Sequence, residues 1–361
     1  MARIDSFLRV VVEQRASDLH MSSGSVPAVR RDGELVPLPF RALSDAEARR
    51  FLFEILTPEQ REVFEAEQAL DFVYAIEGLA RFRGNLFAHA LGVGSVFRII
   101  PSRPPYIDEL SLPPIARSLT ELKEGLVLLC GPTGAGKTTT VAAMVNEINE
   151  RDVRHVIVIE DPIEFVHDSK RSVISQRQVG VHARDYTQVV KAALRESPDV
   201  LVVGEMRGHE TLDLALSAAE AGMLVIGTLH ASSAAKAVHR IVDSFPEERR
   251  AEVLVILARQ FRGILAQHLL RSASGEGRLP VFEVLLHNTV TAQLVRDGKV
   301  HQLEGRLQES QDQSSGMRGL DADLAARVAD GSVTLAEAVR VANDADRLRE
   351  WADERRARQR A

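Results

Sequence analysis

The sequence has almost no cysteine and no long hydrophobic run. Its 361 residues include one cysteine, Cys130, which can form neither an intramolecular disulfide nor a four-cysteine zinc site, so a reducing compartment is expected. No window approaches the roughly 18 to 20 uninterrupted apolar residues of a transmembrane helix, and the charged N-terminus does not read as a signal peptide. We therefore expect a cytoplasmic protein without direct membrane insertion.

The chain also lacks an excess of positive charge. It carries 45 Lys and Arg against 51 Asp and Glu, a net charge of −6, which gives no overall attraction to nucleic-acid phosphates. We expect no nucleic-acid partner. The hydrophobic fraction of 45% and the charged fraction of 27% are those of an ordinary globular protein, and the length favours about two domains.

Residues 1–100 read as a small α+β domain. An amphipathic helix at the N-terminus precedes two short strands, two helices with Ser44 and Thr57 as N-caps, and an antiparallel meander over residues 70–100. Between the first strands, Arg31-Asp-Gly-Glu34 predicts a turn. The strands are predicted at residues 18–22, 27–31, 70–76, 80–89 and 93–100, and the helices at 44–56 and 58–67.

A second domain is expected over residues 107–361. Residues 101–106 contain three prolines in their first five positions and predict an extended linker. Beyond the linker, short Val/Ile/Leu strands alternate with helices, which indicates an α/β fold with a doubly wound, mostly parallel sheet. The predicted strands are 126–130, 153–159, 200–203 and 224–228, the predicted helices 138–149 and 186–195. Residues 325–361 are predicted as a solvated helical tail.

A phosphate-binding loop is the strongest motif. The pattern G-x-x-x-x-G-K-[ST] stands between a predicted strand and a helix, where backbone N–H groups and the helix N-terminus would bind phosphate. Lys137 would reach the β- and γ-phosphate oxygens of ATP, and Thr138 would ligate Mg²⁺. The alternative is a glycine turn that binds nothing. The predicted ATP-binding residues are Gly131, Pro132, Thr133, Gly134, Ala135, Gly136, Lys137, Thr138 and Thr139.

Carboxylates follow two of the predicted strands. Glu160, Asp161 and Glu164 come after residues 156–159, and Glu205 comes after residues 200–203. Ligands of doubly wound sheets collect at the carboxyl ends of strands. We therefore predict that Glu205 orients or deprotonates the attacking water and that Asp161 is a further Mg²⁺ ligand. The alternative for such acids is a solvated surface role.

Several segments in one order resemble a known family. From Ala16 to about Asp321 the chain resembles the type IV pilus retraction ATPases, the PilT family of the secretion ATPases. The matching segments are Ala16-Ser-Asp-Leu-His20, Arg31-Asp-Gly33, Arg81-Phe-Arg83, Val96-Phe-Arg-Ile-Ile-Pro101, the phosphate loop, Ile159-Glu-Asp-Pro-Ile-Glu-Phe-Val-His167, Gly204-Glu-Met-Arg207 and Gly227-Thr-Leu-His230.

The resemblance implies a fold and a set of catalytic roles. It implies a PAS-like N-terminal domain, a RecA-like motor domain and a homohexameric ring. Residues 160–164, with Glu160 and Glu164, would form the family's "Asp box", and Gly204-Glu205 its atypical Walker B motif. His230 would belong to the "His box" and sense the state of the γ-phosphate, with His239 further along that box.

Three arginines of the first domain have two interpretations. Arg81, Arg83 and Arg98 lie on predicted strands and, by residue type alone, are solvated charges. The resemblance instead implies phosphate-facing arginines near a subunit boundary, where they would stabilise transition-state charge. Two other segments receive no chemistry. Cys130 is predicted to be a buried strand end, and Gln176-Arg-Gln-Val to be a solvated loop.

One departure from the family keeps the biological output open. The family's Ala-Ile-Arg-Asn-Leu-Ile-Arg-Glu segment, tied to retraction rather than to hydrolysis, reads Val290-Thr-Ala-Gln-Leu-Val-Arg-Asp297 here. The leading hypothesis is a ring motor at the pilus base that hydrolyses ATP and acts on an inner-membrane platform protein. The alternative is an accessory paralogue that assembles with another retraction ATPase. Extension or secretion ATPases, which usually carry a four-cysteine zinc element, and a nucleic-acid translocase are disfavoured.

Overall fold

The computed structural model of the chain describes residues 2–14, 16–31, 34–100, 103–275, 277–309 and 316–360. The chain is divided into two compact units. The first comprises Met1–Arg103 together with Glu164–Val166, and the second comprises Pro104–Ile163 and His167–Ala361. The predicted Asp32-Gly33 turn and the start of the predicted linker, at Pro101 and Ser102, lie outside the described residues.

A six-stranded antiparallel sheet forms the first unit, with the strand order β3-β2-β1-β6-β5-β4. The strands are β1 (Asp18–Ser22), β2 (Ala28–Arg31), β3 (Glu34–Pro37), β4 (Ala69–Ile76), β5 (Ala80–His89) and β6 (Gly92–Ile100), and the helices are α1 (Asp5–Glu13), α2 (Asp45–Phe53) and α3 (Pro58–Glu67). Alternate residues of the strands, including Phe72, Phe82 and Phe97, form the buried core. The predicted antiparallel meander is confirmed by the pairing of β4, β5 and β6.

Both predicted N-caps of this unit are confirmed. Thr57 accepts the N–H of Gln60 (3.2 Å), and Gln60 accepts the N–H of Thr57 (3.0 Å). Ser44 is the N-cap of α2, and its N–H donates to the side chain of Glu47 (3.1 Å). The start of α2 therefore has a capping box of the same kind.

A seven-stranded sheet forms the second unit, in the order β13-β12-β7-β11-β10-β8-β9. Every pair is parallel except β12 with β13. The strands are β7 (Gly125–Cys130), β8 (His155–Glu160), β9 (Val173–Gln178), β10 (Val200–Val203), β11 (Leu224–Leu229), β12 (Phe261–Arg271) and β13 (Arg278–Leu286). The predicted α/β class with a mostly parallel sheet is therefore confirmed.

Helices cover both faces of this sheet. They are the 3₁₀ helix Ile107–Glu109, α4 (Ile115–Thr120), α5 (Lys137–Arg151), α6 (Tyr186–Ala193), α7 (Gly208–Glu220), α8 (Ala234–Asp243), α9 (Glu247–Gln260), α10 (Thr289–Arg296), α11 (His301–Glu309), α12 (Leu320–Ala329), α13 (Leu335–Val339) and α14 (Ala345–Arg360). Successive residues of β7 point to opposite faces of the sheet and belong to different buried clusters. Leu128 packs with α6, α7, α8 and α9, and Leu129 packs with α4 and α5. Burial on both faces explains why these strands are continuous apolar runs.

Two sequence predictions in this unit are wrong. The tail is not one solvated helix, because Leu348 and Ala352 of α14 are buried in a cluster with residues of α12 and of β12 and β13. Residues 176–178 are not a loop but part of the edge strand β9, where pairing with β8 overrides their polar character. Across the described residues, no helix is long and apolar enough to cross a membrane.

Candidate active site

The carboxyl ends of four neighbouring parallel strands build the site. In the order β7, β11, β10 and β8, these strands end at Cys130, Leu229, Val203 and Glu160. Leu229 pairs with Cys130, and Val203 pairs with both Gly227 and Ile159, so the four ends lie within two residues of one another. The phosphate loop, His230, Glu205 and Asp161 follow these ends directly. The sheet therefore gathers at one edge the predicted site residues that belong to the second unit.

Glycine is required at two points of the phosphate loop. Gly131 has φ +153°, and a Cβ there would lie 2.3 Å from the backbone oxygen of Gln267. Gly136, the N-cap of α5, has φ +84°, and its Cβ would meet the side chain of Gln267 at 3.0 Å. Pro132, Thr133 and Gly134 are exposed at the tip of the loop, and Ala135 is buried beneath it. The backbone can therefore curl where a side chain would collide with β12.

Lys137 closes the loop from inside. Its Nζ donates to the backbone oxygens of Gly131 (2.8 Å) and Pro132 (3.0 Å). Burial lowers the pKa of Lys137, and the nearby charge of Glu205 opposes that shift. The loop carbonyls thus take the place of water as partners of the ammonium group, which also lies near the carboxylate of Glu205.

The first turns of α5 carry three consecutive threonines. Thr138 and Thr139 are half-buried at the loop. Thr140 is buried and donates to Oε1 of Gln267 (2.8 Å). Gln267, on β12, therefore contacts the loop at both of its ends. Sequence reasoning missed Gln267 because its role depends on the pairing of β12 with β7.

Glu205 lies between two basic side chains. Its Oε1 is 3.1 Å from Nε2 of His230, and its Oε2 is 2.6 Å from Nη2 of Arg207. The hydrogen bond from Arg207 lowers the pKa of Glu205, and the charges of Arg207, His230 and Lys137 act in the same direction against burial. The hydroxyl of Thr228 donates to the backbone oxygen of Gly204, which ties the ends of β10 and β11 together. The contacts with Arg207 and His230 therefore fix the position of the Glu205 carboxylate and favour its ionised form.

The acidic residues after β8 separate in the structure. Glu160 is buried at the strand end, where Gln176 Nε2 lies 3.4 Å from its Oε2, and Asp161 is exposed. Burial, followed by the charges of Asp161, Glu205 and Glu160, raises the pKa of Tyr186, so this phenol stays protonated beside the acids. Sequence reasoning singled out neither Tyr186 nor Arg207 for a role at this site.

Four predicted site residues belong to the first unit. Arg83 and Arg98 face each other across β5 and β6, and Arg81 lies two residues before Arg83. Arg98 Nε is 2.8 Å from Oδ1 of Asp18, and Arg83 Nη1 is 3.9 Å from Oε1 of Glu164. Burial raises the pKa of Glu164, and the two arginines oppose that shift. The role of these residues stays a prediction, as does that of His239, which is exposed on α8.

The residues of the second unit fit a nucleotide phosphate chain. The loop combines a glycine cradle, a helix N-terminus and the buried Lys137, which together form an anion site. A cavity of about 160 Å³ adjoins it, lined by apolar side chains such as Leu112 and Leu269 and by the polar side chains of Gln267 and Arg278. Among the described residues no group of three His, Cys, Asp or Glu side chains could hold a metal ion.

Comparisons with known proteins show the family of the chain. Residues 107–340 match the family described as "Type II/IV secretion system protein". The chain is 39% identical to the "Type IV pilus retractation ATPase PilT" of Pseudomonas aeruginosa over 92% of this chain and 95% of that one. It is 36% identical to the "Type IV pilus ATPase PilU" of the same organism over 96% of this chain and 90% of that one.

A solved structure extends the similarity to the whole fold. The crystal structure of the pilus retraction motor PilT with bound ADP superposes with a TM-score of 0.88, at 36% identity over 97% of this chain and 99% of that chain.

Proposed function

Because the chain belongs to the PilT family of pilus retraction ATPases within the type II/IV secretion system proteins, we propose that it uses ATP hydrolysis at this sheet edge to power pilus retraction. The family match and the similarity to PilT confirm the predicted family and the prediction that the chain is an ATP hydrolase.

One observation carries the assignment of the site: Glu205 and His230 lie 3.1 Å apart at the sheet edge that holds the phosphate loop. In the proposed reaction a water oxygen attacks the γ-phosphorus and Glu205 accepts the water's proton. The bond from the γ-phosphorus to the bridging oxygen breaks, which leaves ADP and inorganic phosphate. His230 contacts Glu205 and reports the state of the γ-phosphate to α8.

The remaining groups hold the nucleotide. When ATP binds, the ammonium group of Lys137 exchanges the carbonyls of Gly131 and Pro132 for β- and γ-phosphate oxygens. This places a positive charge beside the bond that breaks. Thr138, with Asp161 as a further ligand, would hold Mg²⁺, which would neutralise phosphate charge when bound. The cavity beside Thr139 and Gln267 receives the nucleoside. Arg207 stabilises the ionised form of Glu205 until the nucleotide arrives.

We further propose that six copies form a ring at the cytoplasmic base of the pilus, on an inner-membrane platform protein. The names of PilT and PilU relatives support a place in the pilus machinery. Arg81, Arg83 and Arg98 would then act on phosphate near a subunit boundary, with Glu160 and Glu164 as further acidic members of the site. Light scattering of the purified protein with nucleotide should give a hexamer, and a monomer at every concentration would contradict the ring.

A second candidate is an accessory paralogue of the retraction motor. The observation that favours it is the segment 290–297, where the family's Arg-Asn pair is replaced by Ala292-Gln293. In the structure residues 290–296 of this segment belong to α10, and Gln293 is exposed there. Pilus retraction in cells whose sole retraction ATPase is this chain separates the two: retraction supports the motor, and its absence with intact ATP turnover supports the accessory protein.

The turnover experiment compares three proteins with Mg²⁺ present. Glu205→Gln should lower steady-state ATP turnover at least about 100-fold because it removes the general base. Glu248→Gln is the matched control, since Glu248 is exposed in the first turn of α9 and has the same change of charge. Full activity of Glu205→Gln would remove Glu205 from the proposed role.

A further inference from the structure

The segment that carries His230 is held from three strands. Residues 230–233 connect β11 to α8, and three side chains contact this connection or the first residue of the helix. Oε1 of Glu283 (β13) accepts the N–H of Ala234 at 2.7 Å. Nε2 of His268 (β12) lies 3.2 Å from the oxygen of Ser232, and Sγ of Cys130 (β7) lies 3.6 Å from the oxygen of Ser233.

Glu283 is the unusual member of this set. It is a carboxylate with 6% of its surface exposed, in a strand whose other central residues are apolar. A buried carboxylate is costly unless it is hydrogen-bonded, and the partner here is the first N–H of α8. A helix N-terminus favours a negative group, so the contact stabilises the start of the helix. Because Ser233 already caps α8 through the N–H of Lys236, Glu283 adds a second, tertiary restraint.

Charges face Glu283 from three helices. Glu304 of α11 and Asp321 of α12 oppose its ionisation, and Lys236 of α8 favours it. Burial is the largest influence and raises the pKa of Glu283 to about 7. The same carboxyl raises the pKa of Cys130, which burial already keeps protonated, and burial lowers the pKa of His268. A cavity of about 300 Å³ adjoins Glu283, His268 and Ser232.

We infer that Glu283 is a positioning residue for catalysis: by holding the N–H of Ala234, it fixes the connection that places Nε2 of His230 beside Glu205. His230 is four residues from Ala234, and its own strand ends at Leu229, so the connection has two fixed ends and little slack. Loss of the Glu283 contact would loosen the helix end of this connection and leave His268 and Cys130 as its remaining contacts from the sheet. It would change no residue of the phosphate loop. This inference rests on the proposed function of Glu205 and His230.

Two measurements on Glu283→Ala separate positioning from a general structural role. A freed His230 lowers the turnover number, while ADP affinity, which depends on the phosphate loop, stays within about twofold of the wild type. We expect turnover to fall about tenfold or more, because small misplacements of catalytic groups have large effects on rate. Glu283→Gln keeps an acceptor oxygen and should recover most of the loss. Thr334→Ala, which removes the side-chain cap of α13, is the control and should retain wild-type turnover.

A double-mutant cycle identifies the group through which Glu283 acts. In a His230→Ala background, measured under single-turnover conditions with excess enzyme, Glu283→Ala should change the rate less than about twofold, because the positioned group is already absent. Melting followed by fluorescence of Trp351 checks that the variants are folded. If Glu283→Ala does not fold, Glu283→Asp, which withdraws the carboxylate by one methylene, replaces it with the same expectation.

Two results would overturn the inference. One is wild-type turnover in Glu283→Ala, and the other is a loss of the same size with and without His230. Failure of the proposed function has a different signature, since then Glu205→Gln and His230→Ala would themselves retain wild-type turnover.

Discussion

Protonation of Glu283 should make the stability of the second unit depend on pH. This carboxyl is buried, and its pKa lies at about 7 in the folded chain against an ordinary value of 4.5. The folded state therefore binds the proton more tightly than the unfolded state. Wild-type stability falls as pH rises from about 4.5 through about 7, and above that range both states are ionised and the loss is complete.

The size of the effect follows from the two pKa values. A shift from 4.5 to about 7 corresponds to about 3 kcal/mol in full, at about 1.4 kcal/mol for each unit. Between pH 5.5 and pH 8, where the titration is partly complete, linkage gives a loss of about 2 kcal/mol. Glu283→Gln lacks this titration, so its stability relative to the wild type should rise by that amount over the same interval.

Urea unfolding followed by Trp351 fluorescence measures this difference. Trp351 is the single tryptophan of the chain and packs on the cluster of the C-terminal helices, so it reports on the unit that contains Glu283. Glu248→Gln serves as the control and should give a curve parallel to that of the wild type. Parallel curves for the wild type and Glu283→Gln would refute the reasoning, because they would mean that Glu283 titrates alike in both states.

Substitutions at three positions test the phosphate loop and its helix. Thr140→Val leaves the buried oxygen of Gln267 without its donor and should destabilise the chain by about 1–3 kcal/mol in urea unfolding, whereas Thr140→Ser should not; equal stabilities would contradict this. Gly131→Ala places a Cβ 2.3 Å from the oxygen of Gln267, so ADP titration should show lost affinity, and unchanged binding would refute the close approach. Lys137→Ala removes a charge-assisted contact and should weaken ATP binding about 10- to 100-fold by calorimetry; wild-type affinity would remove Lys137 from the site.

The strands that bear the motifs were predictable because they are buried on both faces. Continuous runs such as residues 126–130 and 200–203 mark such strands, and the glycine-rich loop marks the end of the first. Strand β9 was not predictable from its Gln and Arg residues, because only its pairing with β8 makes it a strand. Strand β12 has a weak local signal, since only Ile264, Leu265 and Ala266 form an apolar run at its centre.

The candidate site was predictable where a motif carries the residue. Lys137, Glu205 and His230 were found in this way, and the structure brings the last two into contact. Gln267 and Glu283 were not found, since neither belongs to a local motif. Their contacts join β12 and β13 to segments more than 40 residues away, and such contacts are fixed by the order of the strands alone.

The most direct test of the account follows ATP that is already bound. ATP labelled at the γ-phosphate is loaded on the wild type and on Glu205→Gln, Mg²⁺ is added, and the label is followed through one turnover in the presence of excess unlabelled ATP. The account predicts that the wild type releases labelled phosphate and that Glu205→Gln retains intact ATP at least about 100-fold longer. Release at the same rate from both proteins would contradict the claim that Glu205 is the base of this site.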